Sequence, residues 1–258
     1  MKDIINNYTR QVTNFIKHLV GYKPTPPFRL IKNYFHDYTK EQLNKEYLFR
    51  QAWGLYHPSN LMQWYDKNAV SVSPSGVELS ITDNAYKATS GTFIPNGIGL
   101  LCSIKDYSYG LYEWDITLPE GSNLWPAIWL TNSDTWPPEI DVLEGYSNSK
   151  GKWGMRLNTN LHLGDTDDNH YQTKAMSHGW LVDKLTSINL KLIWTTTSIE
   201  IYYNDFLVRK ITNFEHLGWF NRNPKMKVIM NNAIIKTSNY KEMSIAPLII
   251  HTFTYKAL

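Results

Sequence analysis

The first apolar pattern in the chain has helical period. Ile4, Ile5, Tyr8, Val12, Phe15, Ile16 and Leu19 recur at the spacing that lines one helix face, predicting an amphipathic helix over residues 3–20. Asp3 is placed to cap its start and Gly21 to end it. Pro24, Pro26 and Pro27 follow as a stiff connector that cannot continue the helix. A second short helix is expected from Thr39, because Thr39 and Gln42 stand at capping-box spacing. These segments make residues 1–45 an N-terminal appendage. Its apolar stripe has two destinations, packing on the main domain or docking a protein partner.

From about Leu55 the period changes to two, in short runs separated by turn residues, as in an antiparallel sandwich or barrel. Ala69–Ser73 and Val77–Ile81 flank Pro74-Ser75-Gly76 as a hairpin. Gly110–Leu118 and Trp125–Leu130 are separated by Pro119-Glu120-Gly121-Ser122-Asn123. Ser187–Thr195 places Ile188, Leu190, Leu192 and Trp194 on one face, and Ile199, Ile201 and Tyr203 repeat the pattern before Asn204-Asp205 turns the chain into Phe206–Ile211. Lys225–Met230 and Leu248–Tyr255 are the last strands expected. The fold class is therefore all-β, one antiparallel domain over residues 46–258, with no internal repeat or low-complexity tract.

Composition narrows the partners. A net charge of +3 with acids and bases interspersed gives no basic stripe for phosphates, so nucleic acid is excluded. No stretch is long and apolar enough to span a bilayer. The one cysteine, Cys102, reads as a buried thiol at the start of a strand, and the fold must stand on packing alone. Ten tryptophans and seventeen tyrosines exceed what a core of this size requires, which leaves rings for stacking at the surface. Asn6, Asn7, Arg10, Gln11 and Asn14 interrupt any signal-peptide apolar region, so export by the usual route is not expected from residues 1–21.

The chemistry concentrates in Trp136-Pro137-Pro138-Glu139-Ile140-Asp141-Val142-Leu143-Glu144-Gly145-Tyr146. On a regular strand Glu139 and Asp141 share one face, and Glu144 falls on the other. One β-bulge near Val142-Leu143 returns Glu144 to the acidic face and turns the apolar residues to the core. Three neighbouring carboxylates repel and raise one another's proton affinity, a cost without a structural benefit. Retaining glycoside hydrolysis needs such a cluster: two carboxyls about 5–5.5 Å apart, one ionised and one protonated. Asp141, between them, can hydrogen-bond to a glutamate and help hold the two in different protonation states. The competing readings are a calcium site and a solvated edge.

In its context the segment resembles family 16 of the glycoside hydrolases, whose signature is a Glu-x-Asp-x-x-Glu or Glu-x-Asp-x-Glu strand in a β-jelly-roll. Tyr109-Gly110-Leu111-Tyr112-Glu113-Trp114, Leu118-Pro119-Glu120-Gly121, Leu124-Trp125-Pro126-Ala127-Ile128-Trp129-Leu130 and Asn160-Leu161-His162 are similar to further family segments. The resemblance covers roughly residues 55–256 and implies a β-jelly-roll with a concave substrate cleft. It also implies Glu139 as nucleophile, Glu144 as acid/base and Asp141 as assisting acid. The extra residue before Glu144 resembles the bulged branch of laminarinases, agarases and carrageenases.

Clefts for polysaccharide lay sugar rings on aromatic side chains. Trp136, just before the nucleophile position, is the first stacking candidate. Of Trp125 and Trp129, which share a strand face, Trp125 is expected to face the ligand and Trp129 to continue into the core. Tyr146, Trp153 and His162 are further substrate-binding candidates. Asp165-Thr166-Asp167-Asp168-Asn169-His170 is a polar loop with two functional readings, binding a cation or framing the cleft, but it is read as a solvated loop because it matches no defined calcium spacing. No metal site is assigned and no cofactor is required, while a structural calcium is left open. The expected activity is endo-hydrolysis of internal β-linkages in a β-1,3/1,4-glucan or a β-galactan, which points to extracellular or particle-associated action. Transglycosylation by the same residues and a non-catalytic glycan-binding or particle-attachment module are the alternatives.

Overall fold

A computed structural model describes residues 31–147, 155–173, 176–177, 187–235 and 244–258. The helix expected over residues 3–20 and the proline connector lie outside the described residues. The described elements are, in chain order, β1 (Ile31–Tyr34), α1 (Lys40–Glu46), β2 (Tyr47–Leu48), β3 (Val70–Ser73), β4 (Gly76–Leu79), β5 (Leu100–Ser103), β6 (Gly110–Thr117), β7 (Leu124–Asn132), β8 (Glu139–Ser147) and β9 (Met155–Leu163). They continue with β10 (Tyr171–Gln172), β11 (Ser187–Trp194), β12 (Ile199–Tyr203), β13 (Phe206–Ile211), α2 (Phe214–Arg222), β14 (Met226–Ile234) and β15 (Leu248–Ala257), alongside several two- and three-residue strands.

These strands form two eight-stranded sheets. One runs β13-β12-β11-β6-β15-β4-β3, with β1 also paired to β15; the other runs β10-β9-β8-β7-β14-β5-β2, with Met176–Ser177 also paired to β9. Alternation in the sequence explains how they close on each other. In β11, Ile188, Leu190, Leu192 and Trp194 are buried, and Ser187, Asn189, Lys191 and Ile193 are not. They meet Leu124, Ile128, Leu130, Ile140, Val142, Leu143, Leu157 and Leu161 of the second sheet in one continuous core. Among the described residues no helix is long and apolar enough to cross a membrane.

The outer face of the second sheet carries a smaller apolar cluster of Tyr65, Ile98, Leu100, Cys102, Ile229, Ala233 and Ile234. It spans β14, β5 and the short strands Gln63–Tyr65 and Asn96–Ile98. Cys102 is buried there, as expected, and burial pushes its thiol up to about 11. The remainder of that face, over β7, β8 and β9, carries the acids.

Most expected strands are found with small changes of extent. The hairpin pairs Val70–Ser73 with Gly76–Leu79, and the run expected to end at Met230 continues to Ile234, because β7 pairs with β14 as far as Leu124↔Ile234. Thr39 caps α1 with the reciprocal Gln42 bonds of a capping box. Helix α2, capped by Asn213, falls in a stretch for which no element was expected. The boundary at residue 45 needs correction for the described part of the first segment. β1 adds to β15 in the register Ile31↔Tyr255 to Tyr34↔Thr252, and Phe35 and Leu43 are fully buried in the main core. Two buried apolar side chains and a strand ladder tie residues 31–46 to the sandwich.

That attachment predicts a measurable cost for emptying the Phe35 site. Phe35→Ala should lower unfolding free energy by about 3–5 kcal/mol in denaturant titrations. A change below about 0.5 kcal/mol would instead make this segment a loose appendage.

Candidate active site

Strand β8 starts after Trp136-Pro137-Pro138 and lies between β7 and β9. Its pairing with β9 runs Glu139↔His162, Asp141↔Asn160 and then Glu144↔Asn158, with the register shifting between Asp141 and Glu144. On the β7 side it runs Thr131↔Glu139, Trp129↔Asp141, Ile128↔Leu143 and Ala127↔Glu144. The bulge expected at Val142-Leu143 is therefore present. Ile140, Val142 and Leu143 are fully buried in the inter-sheet core, which leaves the three acids together on the outer face.

Each acid has its own surroundings. Glu139 is 9% exposed; the Trp136 indole N–H donates to its Oε2 at 3.0 Å, and His162 Nε2 stands 3.5 Å from its Oε1. Asp141 is 4% exposed, with His162 Nε2 at 3.4 Å from Oδ2, and that buried oxygen accepts no hydrogen bond among the described residues. Glu144 is half-buried; the Trp125 indole N–H donates to its Oε1 at 3.1 Å and the Tyr146 hydroxyl donates to the same oxygen at 2.7 Å.

Burial holds the Glu139 carboxyl well above the usual carboxylate range, and the neighbouring Asp141 charge adds to the effect. Burial likewise raises Asp141, with Glu144 adding to the rise while a hydrogen bond with Glu139 and the Arg209 guanidinium oppose it. The pair thus retains a proton that ordinary carboxyls would have lost.

The structure brings Glu139, Asp141, Glu144, Trp136, Trp125, Tyr146 and His162 to one face, and Trp153 lies outside the described residues. The division expected between Trp125 and Trp129 needs correction. Both are half-buried on the same face against the smaller apolar cluster, and Trp129 donates its N–H to Asn231 Oδ1 at 2.7 Å instead of entering the main core. Their spacing of four along β7 makes this so, since no bulge separates them on the β14 side.

Sequence reasoning passed over His170. The segment Asp165–His170 is not simply a solvated loop: a 3₁₀ turn at Asp167–Asn169 brings the His170 ring parallel to His162, at 5.0 Å between centroids. His170 Nε2 lies 2.8 Å from His162 Nδ1, and Trp136 packs at 4.6 Å from the His170 ring. No spacing in the sequence announces this, because the contact depends on the turn preceding β10. One ligand atom each from Glu139, Asp141 and His162 lies within 4.8 Å of the other two, a donor set able to hold a divalent cation.

The sequence model of the glycosyl hydrolases family 16 matches residues 59–243. The chain belongs to that family. Among curated relatives, the Endo-1,3-1,4-beta-glycanase EglC of Rhizobium meliloti (strain 1021) is 26% identical over 162 residues, which is 58% of this chain and 33% of that protein. The Endo-1,3-1,4-beta-glycanase ExsH of the same organism is 24% identical over 144 residues, 55% of this chain and 28% of that protein. The chain thus spans about a third of the length of the curated family 16 relatives it matches. The laminarinase catalytic domain of Thermotoga maritima MSB8 shares the fold at a TM-score of 0.70 and 16% identity, over 90% of this chain and 99% of that one. The endo-beta-1,3-glucanase of Pyrococcus furiosus does so at 0.68 and 17%, over 89% and 94%.

The raised carboxyls make stability depend on pH in a direction that can be worked out. Below about pH 4 the unfolded carboxyls are protonated too, so ionisation costs the folded chain nothing there. As pH rises from that value through the folded-state values of Glu139 and Asp141, the unfolded chain ionises more easily and folding loses stability. Glu139→Gln should therefore raise the melting temperature at pH 8 by a few degrees, with a gain much smaller near pH 4. Calorimetry at the two pH values checks this, and equal gains at both would contradict the buried-acid account.

Proposed function

We propose that this chain is a retaining endo-glycosidase that hydrolyses internal β-linkages of a β-glucan. The observation that carries the reading is the placement of Glu139 and Glu144 on one face of a bulged strand, on either side of the buried Asp141 and beside indole rings. The choice of glucan over galactan is supported by the relatives, whose names specify 1,3-1,4-β-glycanase, laminarinase and endo-β-1,3-glucanase.

The hydrogen bonds assign the roles. Glu139 receives the Trp136 N–H, which favours its ionised form, whereas Asp141 Oδ2 has no donor among the described residues. For Glu139 to act as the nucleophile it must be ionised, and the proton retained by the pair then sits on Asp141, which shares a hydrogen bond with Glu139. Both donors to Glu144 fall on Oε1, so Oε2 is the oxygen that carries the transferable proton. Glu144 protonates the leaving glycosidic oxygen while Glu139 attacks the anomeric carbon and forms a covalent glycosyl-enzyme. Glu144, now ionised, takes a proton from water, which attacks the anomeric carbon and releases Glu139 with the β configuration restored. Trp136, Trp125 and Tyr146 supply the ring faces for the sugars flanking the scissile bond. The chemistry uses no metal or organic cofactor.

Reducing-end release from laminarin, lichenan, agarose, porphyran and carrageenans tests the reading. Release is expected from laminarin or lichenan, with the β-anomer appearing first by proton NMR. Glu144→Gln should cut kcat by about 10²–10⁴-fold, and Glu139→Gln by at least as much. Tight polymer binding with no release, unchanged in both variants, would make the chain a glycan-binding module; release of the α-anomer first would overturn the retaining mechanism.

A further inference from the structure

The bulge that gathers the acids leaves one residue unmatched. Pairing to β7 steps from Asp141↔Trp129 to Leu143↔Ile128, and pairing to β9 steps from Asp141↔Asn160 to Glu144↔Asn158. Val142 is paired on neither side. The opposite sheet meets it. The hydroxyl of Tyr203, a fully buried residue of β12, lies 2.8 Å from Val142 O and 3.2 Å from Asn158 O. From the next strand, buried Arg209 donates Nη1 to Thr159 O at 2.8 Å. Carbonyls on both strands that form the bulge thus accept from side chains that cross the core.

Resting on the two-glutamate reading, we propose that Tyr203 is a positioning residue for Glu144: its hydroxyl holds the bulged backbone so that the acid/base carboxyl meets the glycosidic oxygen. Tyr203 lies behind the strand and touches no sugar. It bridges Val142, two residues before Glu144, to Asn158, the residue paired with Glu144. One hydroxyl within reach of both carbonyls fixes the offset of the two strands at the point where the extra residue enters. A slip of the bulge by one residue would turn the following side chains to the other face, and a shift of about 1 Å at a reacting group costs on the order of 10²-fold in rate. Glu139 and Asp141 precede the bulge and do not depend on it.

The test separates acid/base failure from general damage. Y203F should lower kcat on the cleaved glucan by about 10- to 100-fold with KM changed less than about twofold. A 2,4-dinitrophenyl glycoside of that glucan departs without proton donation, and azide attacks the glycosyl-enzyme without a base. On that substrate azide should restore turnover in Y203F with release of the β-glycosyl azide, as in Glu144→Ala, whereas in Glu139→Ala azide displaces the leaving group directly and gives the α-azide. Installing 3-fluorotyrosine at position 203, which keeps the hydroxyl, should preserve turnover of the glucan. Wild-type rates in a folded Y203F, equal losses on both substrates without azide rescue, or a Y203F chain that fails to fold while the 3-fluorotyrosine chain is impaired would each overturn the proposal. Absence of azide rescue in Glu144→Ala would overturn the acid assignment itself, a result distinguishable from failure of the clamp.

Discussion

The arrangement of the site depends on a single extra residue in β8. A strand alternates its side chains without exception, so acids at positions 139, 141 and 144 cannot share a face unless the alternation is broken once. The bulge breaks it where both freed side chains, Val142 and Leu143, can be buried, so the change of phase costs the core no apolar contact. What it does cost is a matched backbone ladder, and the side chains of Tyr203 and Arg209 answer that cost from the far sheet. The sandwich is thus more than a platform. Its first sheet supplies polar groups to the place where the second sheet is irregular.

The same constraint explains the electrostatics. Glu139 and Asp141, brought onto one face of a central strand, are crowded and withdrawn from water, and both conditions favour the neutral form. Donors then distinguish them. Glu139 has an indole N–H, Glu144 has an indole N–H and a phenol, and Asp141 lies between with one buried oxygen lacking a donor. Different depths of burial and different donor sets together make chemically identical carboxyls unequal, as the proposed division into nucleophile, proton store and acid requires.

Legibility in the sequence followed the range of the interactions concerned. The bulge could be read because Glu139, Asp141 and Glu144 lie within a six-residue segment and the apolar residues between them fix its phase. The capping box at Thr39 and Gln42 is local in the same way. His170 could not be read, because its contact with His162 requires β9 to turn back through a 3₁₀ turn into β10. Tyr203 and Arg209 were hidden for a stronger reason: in sequence they look like ordinary strand residues, and their partners are backbone carbonyls 45 to 61 residues away. Strand β1 misled through its flanks, since proline-rich sequence before it and helix α1 after it disguised a strand that completes the first sheet.

The aromatic residues next to Glu144 add a link between recognition and chemistry. Trp125 and Tyr146 stack on each other, with centroids 5.6 Å apart and planes 24° from parallel, and both donate to the same Glu144 oxygen. Under the proposed function, a sugar ring laid on this pair would rest on groups that also orient Glu144. In the first half-reaction the two donors would favour the carboxylate left after proton transfer, and so stabilise charge that develops only as the leaving oxygen departs. In the second proposed half-reaction they would hold that carboxylate ready as the base. A wall of rings unconnected to Glu144 would bind polysaccharide equally well, but it would leave the acid's orientation independent of whether a substrate occupies the cleft.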